Sequence, residues 1–397
     1  MSIADELQAP LGKLRGASLL AALVGSAACF AGAWYSPETF YRAYLVAWLF
    51  WLGIALGSLA IALLHHLTGG GWGLVIRRQL EAAYSTLPLL ALLFVPLALR
   101  LDMLYPWARA DLVAGDPLLQ AKEKYLNVEF FQIRAGVYFA IWIVLGLALN
   151  ALSSGTDPAD EPRRQRRLAL VSGPGLILWG LTVTFAAVDW GMSLEPHWYS
   201  SMYGVLYMGG FAVSGMALAI LTVSKLAAYR PWSELLTPDR LNDLGNLLLA
   251  FTVFWSYVSF MQYLIIWSGN LPEETTWYAN RTAGGWQGVA LLLIFLHFVL
   301  PFLLLLSRDN KRSPQRLVKV VALIFVMRLV DLFWLVEPAF SPRALAVHWL
   351  HVAAPVAIGG LWLALFAFRL PARAALPVYE LPETVVTDHG STAHPTR

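Results

Sequence analysis

The sequence predicts an all-α integral membrane protein of about ten transmembrane helices. Three observations predict it: the composition, apolar runs of spanning length from end to end, and loops whose cations gather on one side. Of 397 residues, 58% are hydrophobic and 13% charged, and 17 are Trp, a profile of bilayer-embedded chains. A span needs roughly 20 mostly apolar residues to cross about 30 Å of hydrocarbon. Such runs fall near 17–35, 43–67, 84–104, 132–152 and 168–189 in the first half, and near 203–225, 244–267, 286–306, 317–337 and 347–368 in the second. Lipid offers backbone groups no partners, so each run is expected to close its own hydrogen bonds as helix. The alternating ten-residue pattern of barrel strands is missing.

Orientation follows from Lys and Arg, because loops rich in these cations stay on the cytoplasmic side. Lys13 and Arg15, then Arg77 and Arg78, then Arg163, Arg164, Arg166 and Arg167, share one side. Lys225, Arg230 and Arg240 join them, followed by Arg308, Lys311, Arg312, Arg316 and Lys319, and finally Arg369 and Arg373. About 18 cations thus oppose about 7, which predicts cytoplasmic N- and C-termini. The net charge of +3 gives no reason to expect nucleic acid. The single Cys29, inside the first helix, reads as packing; it can form no internal disulfide and supplies no thiolate set for an iron–sulfur cluster.

The transmembrane domain covers 1–370, and 371–397 reads as a cytoplasmic tail, a strap or partly disordered. Two longer outer loops, 105–131 and 267–285, are candidate lids or docking surfaces. A weak repeat organises the rest. The fifth helix ends Asp189…Glu195-Pro196 and the ninth ends Asp331…Glu337-Pro338, both D-x5-E-P. An offset of four helices preserves direction through the membrane. The repeat therefore suggests two parallel four-helix bundles, helices 2–5 (about 43–189) and 6–9 (about 203–337), flanked by helices 1 and 10.

Arg328 and Asp331 lie three apart on one face of helix 9, where each ionised group costs about 2.5–3.5 kcal/mol on insertion scales. Two readings stand: a proton-relay station, or an ion pair that locks helix packing. Asp189 is the counterpart on helix 5, and Glu337 extends the relay set. At the outer end of helix 5, Asp189, Glu195 and His197 precede Tyr203 among several aromatics, a mixture of proton acceptors and rings that suits a quinol headgroup and equally an interfacial belt. Thr252, Ser256, Ser259 and Tyr263 share one stripe of helix 7, either a polar wire or hydroxyls bonded back to their own helix. His297, near the middle of helix 8, reads as a relay member or a satisfied core residue. The remaining histidines do not line up at matching depth, which argues against a bis-His haem. No phosphate-binding loop, nucleophile elbow or zinc-protease motif appears.

Several segments together resemble a known family. They are NVEFFQIR (127–134), DWGMSLEPHWYS (189–200), QYLIIWSGNLPEET (262–275), Pro301-Phe302 ahead of Ser307-Arg308, and DLFWLVEP (331–338). The chain resembles the integral-membrane quinol-oxidoreductase subunits of the polysulfide reductase and NrfD type, most closely the ActF-type subunit of bacterial alternative complex III. The resemblance implies a bacterial inner-membrane subunit of a respiratory quinol:electron-acceptor oxidoreductase complex. Its implied partners are a sister NrfD-like subunit of ActC type, an iron–sulfur subunit, haem c subunits and lipids, and its implied ligand is quinol or menaquinol. Iron–sulfur clusters and haem c are expected only in the partners, with no cofactor bound covalently here. It further implies an outer proton or quinol site at Asp189, Glu195 and His197 and a central relay at Arg328 and Asp331. The other readings are a structural anchor for peripheral redox subunits, a quinol-oxidising ActC-type subunit, and a proton-coupled transporter. An anchor has little reason to bear buried charge, and a transporter is expected to show paired broken helices, which do not recur here.

Overall fold

Each apolar run becomes helix, in a computed structural model that describes residues 3–154, 160–229 and 232–372. The long helices are α1 (Ile3–Tyr35), α2 (Pro37–Thr68), α3 (Gly71–Leu99), α4 (Val128–Ser153) and α5 (Glu161–Trp190). They continue as α6 (Tyr203–Leu226), α7 (Pro238–Gly269), α8 (Trp286–Leu306), α9 (Pro314–Val336) and α10 (Leu350–Arg369). No strand occurs among the described residues. Arg230, Arg373 and the expected tail beyond Ala372 lie outside them. Nine of the described helices, all but α9, are long and apolar enough to cross a membrane, so the chain is a multi-pass membrane protein. The 23 residues of α9 reach about 34 Å at 1.5 Å per residue, but Arg316, Lys319, Arg328 and Asp331 are spread along it so that no long stretch is as free of charge as in the other nine.

Local chemistry places the ends. Pro occupies the first turn of α2, α5, α7 and α9, where its missing N–H costs nothing. Asn127 caps α4 by accepting from the Phe130 amide at 2.8 Å, and Thr237 caps α7 at the Arg240 amide. Only Gly69 and Gly70 separate α2 from α3, with φ of 67° and 99° that glycine adopts without strain.

That tight connection corrects one expectation. Arg77 and Arg78, taken as cations of the second loop, belong to α3, where both are buried and ion-paired with buried Glu81. Arg164 is likewise buried, on α5, against Glu161 at 2.6 Å. The third helix also begins at Gly71 rather than near 84, and runs through a turn at Ser85 and Thr86 into Leu87–Leu99. Both long loops carry structure: Ala110–Gly115 and Pro117–Lys122 in the first, Pro272–Arg281 in the second.

Helix α2 is the axis of the molecule, buried throughout its apolar stretch, and packs against α3, α5, α6, α9 and α10. In the first half α4 lies between α3 and α5; in the second, α6 meets α7 and α9, and α8 lies between those two. Small residues permit the closest approaches. A Cβ on Gly215 of α6 would lie 2.6 Å from the Gly57 carbonyl carbon of α2, and one on Gly57 would strike the Phe211 carbonyl. Helices α1 and α10 meet in the same way, Gly25 on Ala357 and Gly360 on Ala22 and Ser18. The end where α1 finishes and α2 begins is called the distal face below, and it carries both long loops.

Candidate functional site

In the second half, α6, α7, α8 and α9 surround a cluster of buried polar side chains. Arg328 and Asp331, one turn apart on α9, are ion-paired and fully enclosed, with 0% and 2% exposure. Gly210 of α6 makes the space, since a side chain there would collide with the Arg328 guanidinium. Among the described residues, Nε and Nη2 of that guanidinium have no hydrogen-bond partner, and neither do the Trp255 indole or either ring nitrogen of His297. Tyr207 and His297 both lie within electrostatic reach of Arg328. His297 meets Trp255 edge-on at 4.3 Å and sits in a π-helical turn, Leu293–Val299, a distortion that recurs at functional sites. Each unmatched buried group costs about 1–3 kcal/mol, so a cluster of them calls for a partner such as water, a proton or a ligand.

Asp189 is arranged otherwise. Arg134 of α4 grips its carboxylate with two bonds of 2.9 Å, and the Tyr138 hydroxyl donates a third at 2.8 Å. Arg134 also donates to the Tyr125 carbonyl at 2.9 Å and lies over the Tyr125 and Phe130 rings. Burial, with the Asp189 charge behind it, pushes the Tyr125 phenol up to about 12, so this ring stays neutral. The arrangement ties α4 to α5 with every carboxylate oxygen occupied. The pair on α9 joins residues of one helix and fastens no second helix.

The residues expected to form one outer site are held apart by separate partners. Glu195 pairs with Arg281 at 2.6 Å, and Arg281 also donates to the Trp277 and Leu335 carbonyls and lies 3.6 Å from the Trp277 ring centroid. Exposed His197 reaches Asp116, which caps the helix Pro117–Lys122. Burial works against ionisation of Asp116, but the Leu119 and Leu118 amides and the His197 ring hold its carboxyl below the ordinary range. Tyr203 is buried, its ring 5.7 Å from Trp198 and 5.1 Å from Tyr207.

Along α7, Thr252 and Ser259 donate to their own helix, at the Leu248 and Trp255 carbonyls, both 2.8 Å. Ser256 is half-buried, and Tyr263 is exposed with its ring against Tyr278. These contacts do not link the four hydroxyls to one another. Glu337 is buried in the turn that ends α9 and faces His351 of α10 at 3.3 Å.

Sequence reasoning assigned no role to Arg134, Tyr138, Arg281, His351 or Glu81. Arg134 stood inside a quoted motif, and a buried Arg six residues into an apolar helix is itself a signal. Pairing across 55 residues leaves no periodic trace, so its partner was not legible.

Fold and site together define a polytopic membrane protein with an incompletely matched polar interior in its second half. No protein-family model matches the chain, and no curated protein matches it in sequence.

Proposed function

We propose that this chain is a membrane subunit of a quinol:electron-acceptor oxidoreductase complex, in which the second half conducts protons through Arg328, Asp331 and His297. The observation that carries the proton reading is the enclosed Arg328–Asp331 pair, beside the unmatched Trp255 indole of α7 and His297 ring nitrogens of α8. Groups with spare hydrogen-bonding capacity can take up, hold and pass on a proton, whereas a saturated network resists any change of charge. The redox half of the proposal rests on the motif resemblance, as do the partners: a sister NrfD-like subunit, an iron–sulfur subunit and haem c subunits.

The reading includes an origin by duplication, with α2–α5 and α6–α9 as equivalent four-helix bundles. The D-x5-E-P repeat and the matching neighbour relations support it. Cation placement supports cytoplasmic termini in a bacterial inner membrane and hence an outer distal face. Asp189 then serves as a latch between α4 and α5 rather than as a quinol ligand, because its oxygens are already taken.

The test is Asp331→Asn in the assembled complex. Quinol-dependent turnover or proton uptake is expected to fall at least tenfold with subunit content unchanged, a loss in the range usual for a proton-transferring group. Normal turnover with normal proton stoichiometry refutes the proposal.

A further inference from the structure

We propose that Glu337 and His351 form the distal port of that path, a carboxylate–imidazole dyad exchanging protons between the interior and the phase beyond the distal face. This rests on the proton-relay reading and adds to it the group through which the relay meets solvent. Glu337 lies six residues past Asp331, about 9 Å along the helix axis at 1.5 Å per residue. Its Oε2 is 3.3 Å from His351 Nε2, close but not aligned as a hydrogen bond, so both atoms keep spare hydrogen-bonding capacity, and both side chains are buried, at 3% and 7% exposure. The ring is covered by Phe333 at 4.9 Å.

The other side of the ring carries the inference. His351 Nδ1 lies 3.1 Å from the His348 amide nitrogen and 3.2 Å from the His348 carbonyl oxygen. With Nδ1 bare, the ring accepts from the amide; with Nδ1 protonated, it donates to the carbonyl. Both protonation states therefore have a backbone partner, and passing between them needs no rearrangement of the chain. His348 is half-buried and follows 342–347, all exposed. A proton taken up at Nδ1 makes the imidazolium, the Nε2 proton passes to the Glu337 carboxylate, and the ring is left neutral; the reverse order releases a proton outward. Other charged groups nearby are committed elsewhere. Arg281 is held by Glu195 and the Leu335 carbonyl, and Arg42 of α2, over the Phe340 ring at 4.7 Å, is paired with Glu38. Among the described residues, the titratable side chain set against the His351 ring is Glu337; His348 meets the ring through its backbone, its own ring lying against Trp349.

The experiment compares His351→Asn, Glu337→Gln and Asp331→Asn in the assembled complex in proteoliposomes, reading quinol-dependent proton transfer against pH on the distal side. His351→Asn is expected to slow transfer several-fold and flatten the distal pH profile, with added imidazole restoring it. Glu337→Gln is expected to slow it similarly with no rescue. An unchanged profile in both variants, while Asp331→Asn is impaired, overturns the port and leaves the relay standing. Three silent variants overturn the relay as well. If His351→Asn does not assemble, infrared titration of the wild-type complex decides. A carboxyl band that follows distal pH and is missing in Glu337→Gln supports the dyad, and no such band overturns it.

Discussion

Replacing Arg134 by Met tests whether Asp189 is a structural latch. The substitution keeps much of the apolar stem and removes two bonds of 2.9 Å to the carboxylate, leaving Asp189, at 0% exposure, with Tyr138 alone. Two charge-assisted bonds at about 1.5–3 kcal/mol each give roughly 3–6 kcal/mol. Stranding one partner of a buried pair independently gives about 3–5 kcal/mol, so a loss near 4 kcal/mol is expected. Reversible unfolding in mixed micelles measures it. The double variant Arg134→Met/Asp189→Leu removes both charges and is expected to recover most of the loss, because apolar replacement of a whole buried pair is often neutral. A loss below about 1 kcal/mol for Arg134→Met, or a double variant no more stable than the single one, would refute the latch.

Two further outcomes follow from geometry at other places. Gly215→Val drives a branched side chain into the α2 backbone, 2.6 Å from Gly57 where about 3.5–4.0 Å is comfortable, and should cost about 1–3 kcal/mol or prevent folding. Gly136→Ala on α4, with nothing within 4 Å, should be neutral or slightly stabilising in the same unfolding assay; equal effects would dismiss the α2–α6 contact. At the distal loop, Asp116 has a folded-state pKa below its unfolded value of about 3.9, so its contribution is complete above that pH and disappears as pH falls through the folded value. Resistance of 105–127 to acid protease should hold down to about pH 4 and then drop, whereas Asp116→Asn should lose the acid step.

The spans were legible because hydropathy needs no partner: an apolar run states its own solvent. Their ends were less so, since Arg77 and Arg78 read as loop cations until their pairing with Glu81 within one helix shows them buried. The Arg328–Asp331 pair was visible for the same reason it is unusual, namely that its members are three residues apart on one face. Glu195 and Glu337 could be found through their repeat, but not Arg281 and His351, which approach them from distant segments. The proposed single outer site therefore resolves into three separate attachments, for Asp189, Glu195 and His197. The π-turn under His297 had no sequence signature at all.

The central position of α2 constrains how the chain is built. Synthesis runs from the N-terminus, so this helix enters the bilayer before α5, α6, α9 and α10, which later enclose it. During that interval it must live among acyl chains, and a mean hydropathy of 2.2 over its most apolar 18 residues suits it to do so. Ser58 asks nothing of the latecomers, since its hydroxyl is bound to the Ile54 carbonyl of the same helix. Trp51 waits longest: its indole donates to the Pro355 carbonyl, 304 residues downstream, so the pole around which the others gather is fastened at that point only when the last span arrives.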